Sequence, residues 1–188
     1  MPDQSWKPTR EQIQNAFGKK MTDVIGPGLK VLFCGINPSL YSAAVGHHFA
    51  RPGNRFWPTL HAAGFTDRLF SAFEDSQLLE RGYGITNVVE RATATAAELS
   101  PEEYAEGGGR LEAKVRRYGP RVVAVLGVGA YRAAFGKTDA SVGRQEEKLG
   151  GALVWVLPNP SGLNAHYRLE DLARVYQELR ASVEKGAE

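Results

Sequence analysis

Two short, proline-stiffened loops carry the residues best suited to chemistry. Asn37 closes the apolar run Val31-Leu32-Phe33-Cys34-Gly35-Ile36 and is followed by Pro38, while Pro158-Asn159-Pro160-Ser161-Gly162-Leu163-Asn164 follows a second apolar run over 153–157. An amide side chain offers one carbonyl acceptor and one NH2 donor. Asn37 can therefore hold and aim a water, but it cannot serve as an efficient general base. A polar group ending an apolar strand is costly without a partner, which argues for a site; an Asx-type turn that merely closes the loop explains the same residue equally well. Glu90, just beyond an extended segment over 83–89, is the ionisable candidate. It reads either as a water-activating carboxylate or as an anchor for Arg91 and the loop that follows.

Other familiar chemistries fail on spacing. Gly136-Lys137-Thr138 resembles the end of a phosphate-cradling loop, but the earlier glycine it needs falls at Tyr131. Gly127-Val128-Gly129 follows a strand, yet the third glycine of the dinucleotide fingerprint falls at Arg132. No Gly-x-Ser-x-Gly elbow is present, and Cys34 sits inside an apolar strand, where a core role is expected. As the only cysteine it excludes a disulfide framework, a four-cysteine zinc site and a cysteine-ligated cluster within one chain. His47 and His48 are adjacent, a spacing that points two imidazoles apart and suits loop hydrogen bonding better than a shared metal. Neither a metal nor an organic cofactor is expected.

The elements that must position these residues follow from periodicity. With 188 residues, 43% hydrophobic and 23% charged, the chain suits one folded domain. A helix is expected after Pro8, capped by Thr9, with Ile13, Phe17 and Met21 at helical spacing and Gly26-Pro27-Gly28 ending it. This defines an N-terminal helical extension over 1–24 ahead of an α/β domain over 25–188. Apolar runs over 30–36, 121–126 and 153–157 read as strands buried on both faces, with 83–89 extended. Helices are expected over 54–63, 67–79, 130–135 and 169–183. Another should run to Tyr118 from Ser100-Pro101-Glu102-Glu103, an N-cap, a proline at the first position and a glutamate at the third. The fold class is thus α/β, a single domain with a mostly parallel central sheet of about four strands and helices on both faces. Such sheets bind ligands at the carboxyl ends of their strands, where both asparagine-bearing loops lie.

Charge adds a partner class. The net charge is only +2, but no acidic residue lies between Asp23 and Asp67, or from Lys148 to Leu169, in a chain holding 21 of them. Arg51, Arg55 and Arg168 fall in these windows, which suggests a surface that meets something anionic; buried strand and loop would leave the same windows. The apolar runs are far short of the roughly 20 residues that span a bilayer, and the first residues lack a signal-peptide pattern. A cytoplasmic protein without membrane contact is expected.

Three motifs in order carry a resemblance. Val31-Leu32-Phe33-Cys34-Gly35-Ile36-Asn37-Pro38, then Phe49-Ala50-Arg51-Pro52-Gly53-Asn54-Arg55-Phe56-Trp57, then Leu157-Pro158-Asn159-Pro160-Ser161-Gly162-Leu163 resemble the mismatch-specific uracil-DNA and thymine-DNA glycosylases of the uracil-DNA glycosylase superfamily. The likeness runs over about 25–179 and includes Gly84-Ile85-Thr86-Asn87-Val88-Val89-Glu90-Arg91. It implies a monofunctional, metal-independent enzyme that flips uracil out of mismatched or damaged double-stranded DNA and hydrolyses the N-glycosidic bond; the departure at Ala165 adds single-stranded DNA as a further expected substrate. It implies a monomer in which Asn37 holds the water and Phe49 stacks on the base. Backbone N–H groups near Ile36 and Phe49 would meet the uracil carbonyls, with Gly35 and Ser42 completing the pocket and Ser42 lying where the family meets the DNA backbone. Ser161, Gly162, Leu163 and Asn164 would form the wedge and its backbone contacts, Leu163 filling the space left by the flipped nucleotide.

Two departures stand out. Ser39 follows Asn37-Pro38 where glycine is usual, and Ala165 stands where relatives often carry an arginine that contacts the opposite strand. Asn164, His166 or Tyr167 would have to supply that contact instead. The rival readings are a non-catalytic sensor of damaged bases, which keeps the pocket without turnover, and a metal-dependent nucleotide hydrolase, which would need a carboxylate cluster at the two loops.

Overall fold

The computed structural model describes residues 6–186. The continuous apolar runs divide by strand alternation, since successive side chains point to opposite faces. Val31 and Phe33 enter a core on one side with Phe56, Leu60, Leu172, Tyr176 and Leu179. Leu32 and Cys34 enter a second core with Leu111, Val115, Val123 and Val125. Both faces are covered, which is why neither polar alternation nor an exposed face shows in the sequence.

Strands β1 (Val31–Gly35), β2 (Tyr83–Asn87), β3 (Val122–Leu126), β4 (Gly143–Arg144) and β5 (Leu153–Leu157) form one sheet in the order β2-β1-β3-β5-β4. All pairs are parallel except β4 with β5. The sheet therefore has five strands, not four: β4 is a two-residue edge strand, too short to carry a hydrophobic pattern. After β1 the chain turns to β2 on one side, and after β3 it turns to β5 on the other. The crevice between the carboxyl ends of β1 and β3 is therefore the switch point where such sheets bind ligands.

Helices α1 (Arg10–Gln14), α2 (Leu40–Val45), α3 (Phe56–Ala62), α4 (Pro101–Tyr118), α5 (Val128–Phe135) and α6 (Leu169–Lys185) cover the faces, with 3-10 turns at Ala72–Arg81 and Ala96–Glu98. Packing pairs α3 with α6 and α4 with α5. The start of α4 has the expected reciprocal cap, Ser100 with Glu103. The expected N-terminal helical extension is corrected. Thr9 caps a helix that stops at Gln14, and from Lys20 onward the chain is extended against the sheet edge. Gly18 donates to Ala92 O, and Val24 and Ile85 exchange backbone hydrogen bonds. Residues 1–5 of that expectation lie outside the described residues. Helix α2 was hidden in the small-residue stretch between Ser39 and Gly53, and the helix expected over 67–79 is the tighter 3-10 form shifted to Ala72–Arg81.

Helix α6 also holds the second loop. The fully buried Tyr176 donates its phenolic hydrogen to Pro158 O at 3.0 Å, the first carbonyl beyond β5. Replacing Tyr176 with Phe leaves that carbonyl without its partner, which costs about 1–3 kcal/mol. Urea unfolding of Tyr176→Phe should show a lower midpoint with an unchanged slope.

Candidate active site

A cleft of about 400 Å³ opens at the switch point, lined among others by Gly35, Asn37, Phe49, Asn87, Asn159 and Leu163. Its floor is the carboxyl end of β1. There the Asn37 NH2 donates to Arg91 O at 3.0 Å and to Thr93 Oγ1 at 2.7 Å. A backbone carbonyl only accepts, and the Thr93 hydroxyl spends its own proton on Thr95 O, so the amide orientation is determined: nitrogen toward Arg91 and Thr93, carbonyl Oδ1 away from them. Both donors of Asn37 are committed and its acceptor is left for a ligand. The Arg91 side chain is itself anchored by Glu103, and that bond holds the Glu103 carboxyl down to about 2.

Gly35 lets two side chains close over β1. A Cβ at that position would lie 2.7 Å from Asn87 Oδ1 and 3.2 Å from the tip of Phe49. Asn87 is paired in register with Gly35 at the end of β2 and lines the cleft beside Asn37. Little in the sequence marks it, because Val88 and Val89 continue the extended pattern past Asn87 and only the structure ends β2 there.

Phe49 has φ 54°, the only positive value outside glycine among the described residues. For an aromatic residue this conformation costs on the order of 1–3 kcal/mol, and both neighbours are pinned to enforce it. The His48 N–H donates to Asp75 Oδ2, the Trp57 indole N–H donates to His48 O, and the His48 ring Nε2–H donates to Thr22 O. On the other side the Ala50 N–H donates to Ser42 Oγ. Asp75, itself buried, also bonds the His47 ring at 3.1 Å. The two imidazoles thus bond different partners, Asp75 and Thr22 O, and brace a loop, the loop hydrogen bonding expected from their spacing. The Phe49 ring stacks on Phe56 at 4.0 Å, and its backbone N–H has no hydrogen-bond partner among the described residues.

One expected site residue lies outside the cleft, and another lines it with its hydroxyl oxygen already engaged. Glu90 does not line the cleft. Its carboxylate lies between Lys114 and Lys20, each at 3.4 Å, in a cluster that includes Asp23 at 2.7 Å from Lys114. Partial burial works to raise its pKa, but the two lysines outweigh burial and hold it below the usual range. Glu90 is an anchor of the N-terminal segment and α4, and Arg91 is held by Glu103 rather than by Glu90. Ser42 lines the cleft wall but is only 3% exposed. Its oxygen already accepts from Ser39 Oγ and Ala50 N, so it braces the Phe49 loop.

The second loop projects Leu163, which is 74% exposed. Its polar groups are turned inward: Ser161 Oγ accepts from Leu163 N, Asn159 Oδ1 from Ser161 N, and Asn164 bonds Asn159 O and His166 N. Both ends of the Asn164 amide are therefore used within the loop. Gly162 packs so closely that a Cβ would lie 2.5 Å from Gly53 O. Of the window cations, Arg51 is exposed at the cleft rim and Arg168 is exposed. Arg55 is turned into the loop. Among the described residues no Asp or Glu lines the cleft, no group of three or more metal-ligating side chains is present, and no helix is long and apolar enough to cross a membrane.

A family model for the uracil DNA glycosylase superfamily matches residues 22–180, so the chain belongs to that superfamily. Membership supports DNA glycosylase activity, with DNA as the partner. Among solved structures, one determined by NMR in solution, from Methanosarcina acetivorans and described provisionally as a uracil DNA glycosylase, has the same fold. It matches with TM-score 0.57 at 21% identity, over 87% of this chain and 99% of that one.

Burial holds the His48 pKa below the ordinary histidine value, only partly offset by Thr22 O and Asp75. As pH falls below about 6.5 the unfolded chain takes up a proton that the folded state resists. The unfolding free energy should therefore be full above that pH and decline toward pH 5. Urea titrations across this range should show a shallower decline in His48→Gln than in the parent protein.

Proposed function

We propose that the chain is a monofunctional DNA glycosylase that extrudes uracil and related damaged pyrimidines from mismatched or damaged DNA and hydrolyses the N-glycosidic bond in base excision repair. The observation that carries this reading is the Asn37 amide, whose nitrogen is fully spent on Arg91 O and Thr93 Oγ1 so that its carbonyl is left for a water. The water donates one hydrogen to Oδ1, which aims its lone pair at the sugar without deprotonating it. The bond from C1′ to the base nitrogen breaks first; its electron pair leaves with the base and the sugar becomes cationic. Water oxygen then bonds C1′ and releases its proton to solvent or to the departing base, leaving an abasic sugar. A nearly formed cation needs little nucleophile activation, which fits a cleft without a carboxylate.

The remaining residues serve the base. The Phe49 ring offers a stacking face, and its unpaired N–H and the Asn87 amide, both of residues that line the cleft, offer hydrogen bonds that strengthen as the leaving base becomes anionic. Leu163 acts as an apolar plug for the vacated stack, offsetting a few kcal/mol of unstacking.

Asn37→Ala should bind uracil-containing duplex as the parent does while losing about 10²–10³ in rate, comparable to losing one preorganised catalytic hydrogen bond. Glu90→Gln should stay within about threefold. Alkali cleavage of a labelled uracil duplex, run with a chelator present, measures both; full activity in Asn37→Ala, or a collapse in Glu90→Gln, overturns the mechanism. Absence of turnover in the parent protein would instead favour a base sensor.

Opposite-base reading is weak in this proposal. Ala165 has no polar group, and Asn164 is spent inside its own loop. Uracil opposite guanine should be favoured only as far as a mismatch opens more cheaply, with measurable cleavage opposite adenine. Initial rates on the two duplexes test this, and strict dependence on guanine would refute it.

A further inference from the structure

The best-connected side chain near the cleft belongs to none of the roles above. Arg55, at the N-terminal end of α3, reaches across to the second loop. Its guanidinium donates to Ser161 O at 2.6 Å, to Asn164 O at 3.0 Å and to Tyr167 O. Its backbone N–H adds a bond to Pro160 O at 2.9 Å. These partners bracket Leu163 on both sides. Tyr167 packs on the core at one end of this segment, but the exposed Leu163 adds no apolar packing at its tip, and the carbonyls the segment turns inward must be satisfied. One fork-shaped cation satisfies three of them at once, a geometry that a lysine, with its compact ammonium, does not reproduce.

We infer that Arg55 is the positioning residue of the wedge: it holds the loop of residues 160–167 in the shape that presents Leu163, and so governs base extrusion but not bond hydrolysis. The inference rests on the glycosylase reading and deepens it. It also removes Arg55 from the set of cations expected to meet phosphate, since its two terminal nitrogens donate to protein carbonyls and its Nε is buried.

The distinguishing substrate pair is uracil in a matched duplex, where the base must be extruded, against uracil in a bubble of unpaired bases within the same duplex arms, where it need not be. Arg55→Ala should lose at least tenfold on the matched duplex and stay within threefold on the bubble, with Arg55→Lys between parent and alanine variant on the matched duplex. If Arg55 acts through Leu163, the Arg55→Ala change should add less than twofold in a Leu163→Ala background. Extrusion is followed separately through the fluorescence of 2-aminopurine placed beside the uracil, which requires no turnover. Should the parent protein extrude without hydrolysing, the glycosylase reading fails, and a tenfold loss of the fluorescence response in Arg55→Ala still upholds the positioning role. Equal losses on bubble and matched duplex, full additivity with Leu163→Ala, or an undiminished fluorescence response would overturn it. If Arg55→Ala does not fold, the same comparisons made with Arg55→Lys decide the matter.

Discussion

The cleft depends on holding Phe49 in a backbone conformation that it would leave if released. At φ 54° the residue carries strain, and the hydrogen bonds that oppose this strain come from distant parts of the chain. Asp75 belongs to the 3-10 turn before β2, Trp57 to α3, Thr22 to the N-terminal segment and Ser42 to α2. The loop therefore takes its working shape only when the surrounding fold is complete. Gly35 belongs to the same constraint, because only a residue without a side chain lets the Phe49 ring and the Asn87 amide approach β1 together.

A second assembly follows a similar rule with different chemistry. The loop beyond β5 is held through its carbonyl oxygens, by Tyr176 at Pro158 and by Arg55 at three positions, while its apolar tip stays in solvent. Since Arg55 immediately precedes Phe56, on which Phe49 stacks, one short stretch of chain supports both the pocket and the projecting loop. The two candidate functions, holding a base and filling the gap it leaves, are thus mechanically joined through the start of α3.

Much of this was legible in the sequence where it depends on strong local patterns. Doubly buried strands announce themselves as unbroken apolar runs, and the cap of α4 is written in Ser100 and Glu103. Asn37 and the Leu163 loop were found because each interrupts or follows such a run. What was missed depends on contacts between distant residues. Arg55 reads as an ordinary surface cation until its carbonyl partners are known, and Glu90 reads as either a catalytic carboxylate or an anchor until Lys20 and Lys114 are placed beside it. The burial of Ser42 is not legible either, because burial of a small hydroxyl leaves no mark in composition. The N-terminal segment was misread because spacing at Ile13, Phe17 and Met21 satisfies a helix, whereas hydrogen bonding to Ala92 and Ile85 draws the chain into an extended path.

The anchoring of Asn37 has a consequence for how this site can drift through mutation. One of its two tethers is the main-chain carbonyl of residue 91, which any amino acid supplies, while the other is the hydroxyl of Thr93. Half of the amide's orientation is therefore indifferent to side-chain identity, and the other half tolerates only serine or threonine. Substitution at position 91 puts at risk the attachment to Glu103, whereas at position 93 it puts at risk the direction in which the Asn37 carbonyl points. A change at position 91 thus spares the direction of the Asn37 carbonyl and tests only the ion pair with Glu103, whereas a change two positions later acts on the amide itself.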